Sequence, residues 1–167
     1  KLSGDGALTV IRREPVRKSF LIRNVNHYER AISVQHPGLF EPGDGVTIRG
    51  VWSKTRESAA VHATVIGKEG HVLFLDKPYI GENFWLEVGP AEVSTLVPLV
   101  RGEDVEDILV QDLQVDGNIP VTGMEAGCGG GIYLKNCRRA TIRNVYSHNN
   151  NGDGIGFEIS DDVIVED

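Results

Sequence analysis

Paired positions toward the C-terminal end recur at a spacing of 23: Ile132 and Ile155, Leu134 and Phe157, Cys137 and Ser160, Ala140 and Val163, Ile142 and Val165, Asn144 and Asp167. That is about one turn of a β-solenoid. Alternate side chains of a strand point to one side, so an apolar set repeated at this period is buried when one turn of backbone lies on the next. Ile132 and Ile155 are expected to share one column, and Leu134 and Phe157 another. The strands would stack in parallel, with ladder hydrogen bonds along the solenoid axis.

A four-residue pattern, apolar, polar, Asn or Asp, apolar, extends the repeat: Ile22-Arg23-Asn24-Val25, Val110-Gln111-Asp112-Leu113 and Ile142-Arg143-Asn144-Val145. Each copy precedes a second strand-like segment, Ala31–Gln35, Gly131–Lys135 and Gly154–Glu158 respectively. Twenty glycines against one methionine, with many Val, Ile and Thr, favour short strands and tight turns over helices. Between His36 and Ser94 the spacing is lost. Alternation around Lys68-Glu69-Gly70 reads there as a hairpin, so a compact antiparallel outgrowth is expected. The expected organisation is solenoid turns over 1–35, an inserted antiparallel β module over 36–94 and solenoid turns over 95–167. The last strand, Val163–Asp167, has no cover in the sequence; missing chain segments or another subunit are expected to cap the ends.

A formal charge of −7 gives no basic surface for nucleic acid or an anionic membrane. No apolar run approaches the roughly 20 residues of a membrane span, and the N-terminal residues lack a signal-peptide core. Cys128 and Cys137 are compatible with a disulfide or with two buried thiols.

The segment Asn150–Asp167, and Gly131–Asn149 before it, resembles the rung of the pectate-lyase-like right-handed parallel β-helix superfamily. The resemblance covers roughly 96–167, and 1–35 more loosely; it implies an all-β solenoid fold and, for most members, action on polysaccharide. Asn151-Gly152-Asp153-Gly154-Ile155 is similar to the Asn-Thr-Asp-Gly motif that carries a catalytic carboxylate in polygalacturonases, departing from it at Gly152. No adjacent Asp-Asp pair occurs at the corresponding place in another rung, nor a Gly-His-Gly or Arg-Ile-Lys, so the full catalytic set of that family is absent from this stretch. The function this resemblance implies is that of a secreted or surface polysaccharide lyase or glycoside hydrolase. The rival is a non-catalytic solenoid adhesin or tailspike-like carbohydrate-binding protein.

With Ile132, Leu134, Ile155 and Phe157 inward, the outward face is expected to carry Ser33, Leu99, Tyr133 and Gly156 in one column and Gln35, Arg101, Lys135 and Glu158 in the next. An aromatic ring beside polar and charged groups suits a sugar: the ring covers a pyranose face while Tyr133, Arg101 and Gln35 bind hydroxyls or carboxylates. A solvated face held by a Lys135–Glu158 pair is the alternative. Asp153 with Glu158 is the candidate carboxylate pair for glycoside hydrolysis. For a lyase, Lys135, Arg101 or His148 would be the base. The plainer readings are a turn aspartate between glycines and a histidine satisfied within its loop. Calcium is the one cofactor the acidic groups Glu103, Asp104, Glu106, Asp107, Asp161 and Asp162 suggest, although none forms an EF-hand. Gly127–Gly131 lacks the Lys-Ser/Thr of a phosphate loop. Trp52 and Trp85 are expected in the core of the insertion, or else as sugar platforms.

Overall fold

The computed structural model describes residues 1–51, 58–79, 83–122 and 130–167. Apart from a four-residue helix and two short 3₁₀ turns, the described elements are all β. No helix among the described residues is long and apolar enough to cross a membrane. The chain forms two compact units: Lys1–Pro15 with Pro98–Asp167, and Val16–Val97. The first unit opens with strands β1 (Leu2–Ser3) and β2 (Val10–Arg12).

The unit Val16–Val97 holds β3 (Lys18–Phe20), β4 (Ala31–Ser33), β5 (Gly45–Val51), β6 (Ser58–Glu69), β7 (Val72–Leu75) and β8 (Ala91–Ser94). They form an antiparallel sheet in the order β3-β8-β5-β6-β7-β4. A bridge between Leu21 and Val34 joins the two ends of that order, so the sheet curls around a core that includes Phe40, Ile48, Val65, Leu73 and Phe84. The expected hairpin is β6-β7, turned at Gly70 with φ of 55°, a left-handed conformation that glycine adopts without a Cβ penalty.

Two expectations are corrected here. Residues 18–33 pair antiparallel within this sheet, β3 on β8 and β4 on β7, so they are not solenoid turns, and the unit begins at Val16 rather than near 36. The Ile22–Val25 pattern is satisfied by local chemistry instead: Asn24 Oδ1 accepts the Leu86 N–H at 3.0 Å, and Val25 bridges Phe84 antiparallel. Four residues are too few to specify which strand they pair with, or in which direction. Trp85 is 38% exposed, beside Phe84, which bridges Val25 and is 1% exposed. Trp52 lies outside the described residues.

The first unit continues with β9 (Val100–Glu103), β10 (Glu106–Asp116), β11 (Ile132–Lys135), β12 (Arg138–His148), β13 (Ile155–Glu158) and β14 (Asp161–Glu166). A short strand and a long strand alternate, and like pairs with like. β9-β11-β13 is one parallel sheet; β10-β12-β14 is another, with β1 and β2 both parallel to β10. The ladder contains Ile132↔Ile155, Leu134↔Phe157, Ala140↔Val163 and Ile142↔Val165, the pairs expected from the 23-residue spacing. Val110, Leu113, Val115, Ile132, Leu134 and Ile142 are among the residues of its buried core. The preceding repeat is 32 residues long, Val100 to Ile132, because the stretch after β10 carries helix α1 (Ile119–Thr122). A loop can lengthen without shifting the ladder it connects, which is why the spacing is irregular and the stacking is not.

The Asn and Asp of the four-residue pattern have a backbone reason. Asp112 and Asn144 take φ of 56° and 49°, where the chain bends within β10 and β12, and Asn144 Nδ2 donates to Asp112 Oδ1 at 2.8 Å. Asp104 and Asn136 occupy the bend between short and long strands in the same way, with Asn136 Nδ2 donating to Asp104 Oδ1 at 2.6 Å. Short polar side chains tolerate this conformation and bond locally. The equivalent residue of the last repeat is Ile159, at φ of 51° and 72% exposed. A β-branched residue is strained there and gains little from packing. Ile159→Asn is therefore expected to stabilise the unit by about 1 kcal/mol, read as a higher midpoint in thermal or urea unfolding.

Candidate functional site

The outer face of β9, β11 and β13 is set by strand alternation. With Ile132 and Leu134 buried at 1% each, Tyr133 and Lys135 must point the other way. The ladder sets Arg101, Tyr133 and Gly156 side by side, and Glu103, Lys135 and Glu158 next to them. This corrects the expected columns by two residues in β9. Pairing the apolar Val100 with Leu134 is the natural reading of the sequence, but Val100 lies beside Ile132, and Leu134 lies over Gly102. A Cβ on Gly102 would come within 3.0 Å of Leu134 Cδ2, so the leucine fills the space that a side chain on β9 would have taken. Glu103, weighed from the sequence only for calcium, thereby joins the face. The signal available for it was the two-residue alternation continued from Arg101.

Gln35 and Ser33 have no place in these columns. They belong to the other unit, where Ser33 pairs with Val72 and the Gln35 N–H donates to the Phe20 carbonyl at 2.9 Å. Leu99 precedes β9, its N–H directed to the Gly130 carbonyl at 3.3 Å.

The charged groups on the face are paired across it. Arg101 donates to Glu103 Oε1 at 2.5 Å, and Lys135 Nζ lies 3.6 Å from Glu158 Oε1. The Tyr133 hydroxyl donates to Glu158 Oε2 at 2.5 Å. Partial burial, then the adjacent Glu158, push the Tyr133 hydroxyl up to about 12. The same hydrogen bond, with the charge of Lys135, holds Glu158 below the ordinary carboxylate range. Tyr133 is thus a donor at neutral pH and Glu158 an ionised acceptor. Asp153 approaches from the loop before β13: a Cβ on Gly156 would be 3.7 Å from Asp153 Oδ2 and 3.7 Å from Tyr133 Cδ2. Asp153, Tyr133, Lys135, Glu158 and Arg101 therefore share one surface.

His148 does not share it. It is the last residue of β12, on the other sheet, where it pairs with Asp116 and its ring stacks on Tyr146 at 4.6 Å. Its Nδ1 accepts from Asn149 at 3.0 Å and its Nε2 is buried, so neither nitrogen is presented to a substrate. The expected loop histidine is thus a strand residue, and it is not a base for the Tyr133 face. Asp116 is the group that sequence reasoning missed. Buried at 4% exposure, it accepts bonds from Arg12 Nε, the Asn118 N–H and Asn149 Nδ2. An acidic residue at the apolar end of a strand was its only signal.

Of the acidic groups weighed for calcium, Glu103 accepts from Arg101, Asp104 from Asn136, Glu106 and Asp107 from Arg139, and Asp161 lies 3.8 Å from Arg138. Among the described residues no three ligating side chains gather. Cys137 is buried and has no disulfide partner among the described residues; Cys128 lies outside them, as do residues 127–129 of the glycine run.

No family model matches the chain, and no curated protein matches it. Solved structures do. The tailspike of Pseudomonas phage phi297 is 13% identical over 96% of this chain and 32% of its own, with a TM-score of 0.42. The tailspike of Pseudomonas phage LKA1 is 16% identical over 98% and 33%, with a TM-score of 0.44. The tailspike of Acinetobacter baumannii bacteriophage AP22, solved in complex with A. baumannii capsular saccharide, is 8% identical over 90% and 34%, with a TM-score of 0.44. The chain spans about a third of the length of each.

Proposed function

We propose that the unit formed by Lys1–Pro15 and Pro98–Asp167 is a stretch of right-handed parallel β-helix of the pectate-lyase-like kind, and that the outer face of β9, β11 and β13 binds an extracellular polysaccharide. The observation that carries this is the Tyr133 ring beside Gly156, which has no side chain, with the Asp153 and Glu158 carboxylates around it. An aromatic face next to hydrogen-bonding groups is how a protein holds a ring that is apolar on one side and hydroxylated at its rim. Parallel strands arrayed at regular intervals present such groups along a line, as a polymer requires.

Hydrolysis is the reaction the groups fit. Glu158, held ionised, fits the base or nucleophile, with Asp153 as the second carboxyl of the pair. Elimination fits less well. It needs a base and a group that neutralises a uronate carboxylate, and both Lys135 and Arg101 already face carboxylates. One observation favours a non-catalytic, carbohydrate-binding reading instead: Glu158 is engaged by Tyr133 and Lys135 at once.

The test measures reducing-end release, unsaturated product absorbance and binding over pectin, alginate, xylan and glycosaminoglycan. Asp153→Asn and Glu158→Gln are expected to lower hydrolysis by about 10²-fold or more while binding persists, and Lys135→Ala to retain most of the rate. Undiminished turnover in both carboxylate variants would remove the assignment. Binding without turnover in the wild type would leave the non-catalytic reading.

A further inference from the structure

We infer that the space over Gly156 is a subsite for one sugar ring bearing no negative charge, either neutral or carrying a protonated amine. The inference rests on the reading that this face binds polysaccharide and narrows it to a substrate class.

The shape comes from the ladder. Arg101 and Tyr133 fill the outward positions beside Gly156 on β9 and β11; on β13 the corresponding position is empty of side chain. A Cβ built there meets its nearest neighbours at ordinary van der Waals distance, so the glycine is not demanded by crowding. Nor is it demanded by the backbone, since Gly156 is not among the residues with positive φ. What the missing side chain does is leave a notch bordered by the Tyr133 ring and the Asp153 carboxylate. A pyranose placed against that ring brings its rim hydroxyls to Asp153, which accepts, and to Glu158.

The charge class comes from the pairing. The face carries Arg101 and Lys135 as cations, and each already lies against a carboxylate, Glu103 and Glu158. Asp153 forms no ion pair among the described residues, so the wall of the notch is a surplus negative charge. A uronate or sulfated ring entering here meets Asp153 and the ionised Glu158, and attracting Lys135 away from Glu158 would leave that carboxylate uncompensated. A neutral ring avoids the repulsion, and an ammonium group is drawn to Asp153.

Affinity electrophoresis of the whole chain through xylan, chitosan near pH 6 and polygalacturonate tests both parts. The wild type is expected to bind xylan or chitosan at least tenfold more tightly than polygalacturonate. Gly156→Leu, which fills the notch, is expected to lose at least tenfold in that binding with an unchanged melting temperature, and Gly156→Ala to lose less. Asp153→Asn is expected to narrow the discrimination against polygalacturonate. Polygalacturonate bound as tightly as the other polymers, or full binding by a folded Gly156→Leu variant, would overturn the inference. Binding that survives Gly156→Leu but is lost in Tyr133→Ala would overturn the notch and leave the polysaccharide-binding reading standing, whereas a wild type that binds no polymer would overturn both.

Discussion

Leu134→Ala is expected to lower the unfolding free energy of the unit formed by Lys1–Pro15 and Pro98–Asp167 by about 4 kcal/mol, toward the upper end for a buried leucine. Leu134 is 1% exposed and stacks between Gly102 and Phe157. The cost of such a truncation depends on how far the surroundings collapse into the space. Here the neighbour on β9 is a glycine, already in contact range of the leucine through its backbone, and two ladders hold the strands at fixed spacing. Against a typical total of about 5–15 kcal/mol, the loss would bring urea unfolding to a much lower midpoint with the slope unchanged. Leu134→Met, which conserves volume, should cost less than about 1.5 kcal/mol. A Leu134→Ala cost below about 1 kcal/mol would mean that the column does not stack as described.

Asp116→Ala should destabilise the same unit by about 3 kcal/mol, because three donors from separate segments lose a shared buried acceptor. Arg12 comes from β2, Asn118 from the turn after β10, and Asn149 from the loop after β12, so one carboxylate ties together parts of the chain far apart in sequence. Burial by itself would raise its pKa; the bonds from Asn118, Asn149 and Arg12, and the nearby His148, outweigh it and leave the carboxyl below its usual value. The sign of the pH effect follows. A carboxyl whose folded pKa is depressed contributes its stability above the unfolded value of about 3.9, and loses it as pH falls through the folded pKa. Wild-type stability should therefore fall below about pH 4, and the Asp116→Ala variant should fall less steeply over that range. Equal slopes in the two proteins, measured by urea unfolding at a series of pH values, would show that Asp116 is not the group responsible.

The candidate site was only partly legible. Tyr133, Lys135 and Glu158 follow from the same alternation that buries Ile132 and Leu134, and Asp153 from its place in the turn before β13. Arg101 was recognised but set beside the wrong neighbour, since Gly102 offered no apolar side chain to mark the inward position. His148 was misplaced for a different reason. It follows a strand pattern and precedes an Asn-rich run, and only the ladder pairing of β12 with β10 assigns it to the strand.

What the residues determined unaided is the register of the last two repeats. An apolar period of two, returning after 23 residues, sets which residues lie beside one another on the ladder, and Asp104, Asp112, Asn136 and Asn144 stand at left-handed bends, a position that Ile159 holds in the last repeat. What tertiary structure decided is which strands meet when the local pattern is short or interrupted: the antiparallel fate of 18–33, the two-residue shift of β9, and the gathering of Asp116 with Arg12 and Asn149. Strand partners are chosen by packing and hydrogen bonding among segments distant in sequence, and a four-residue motif carries too little of that energy to choose alone.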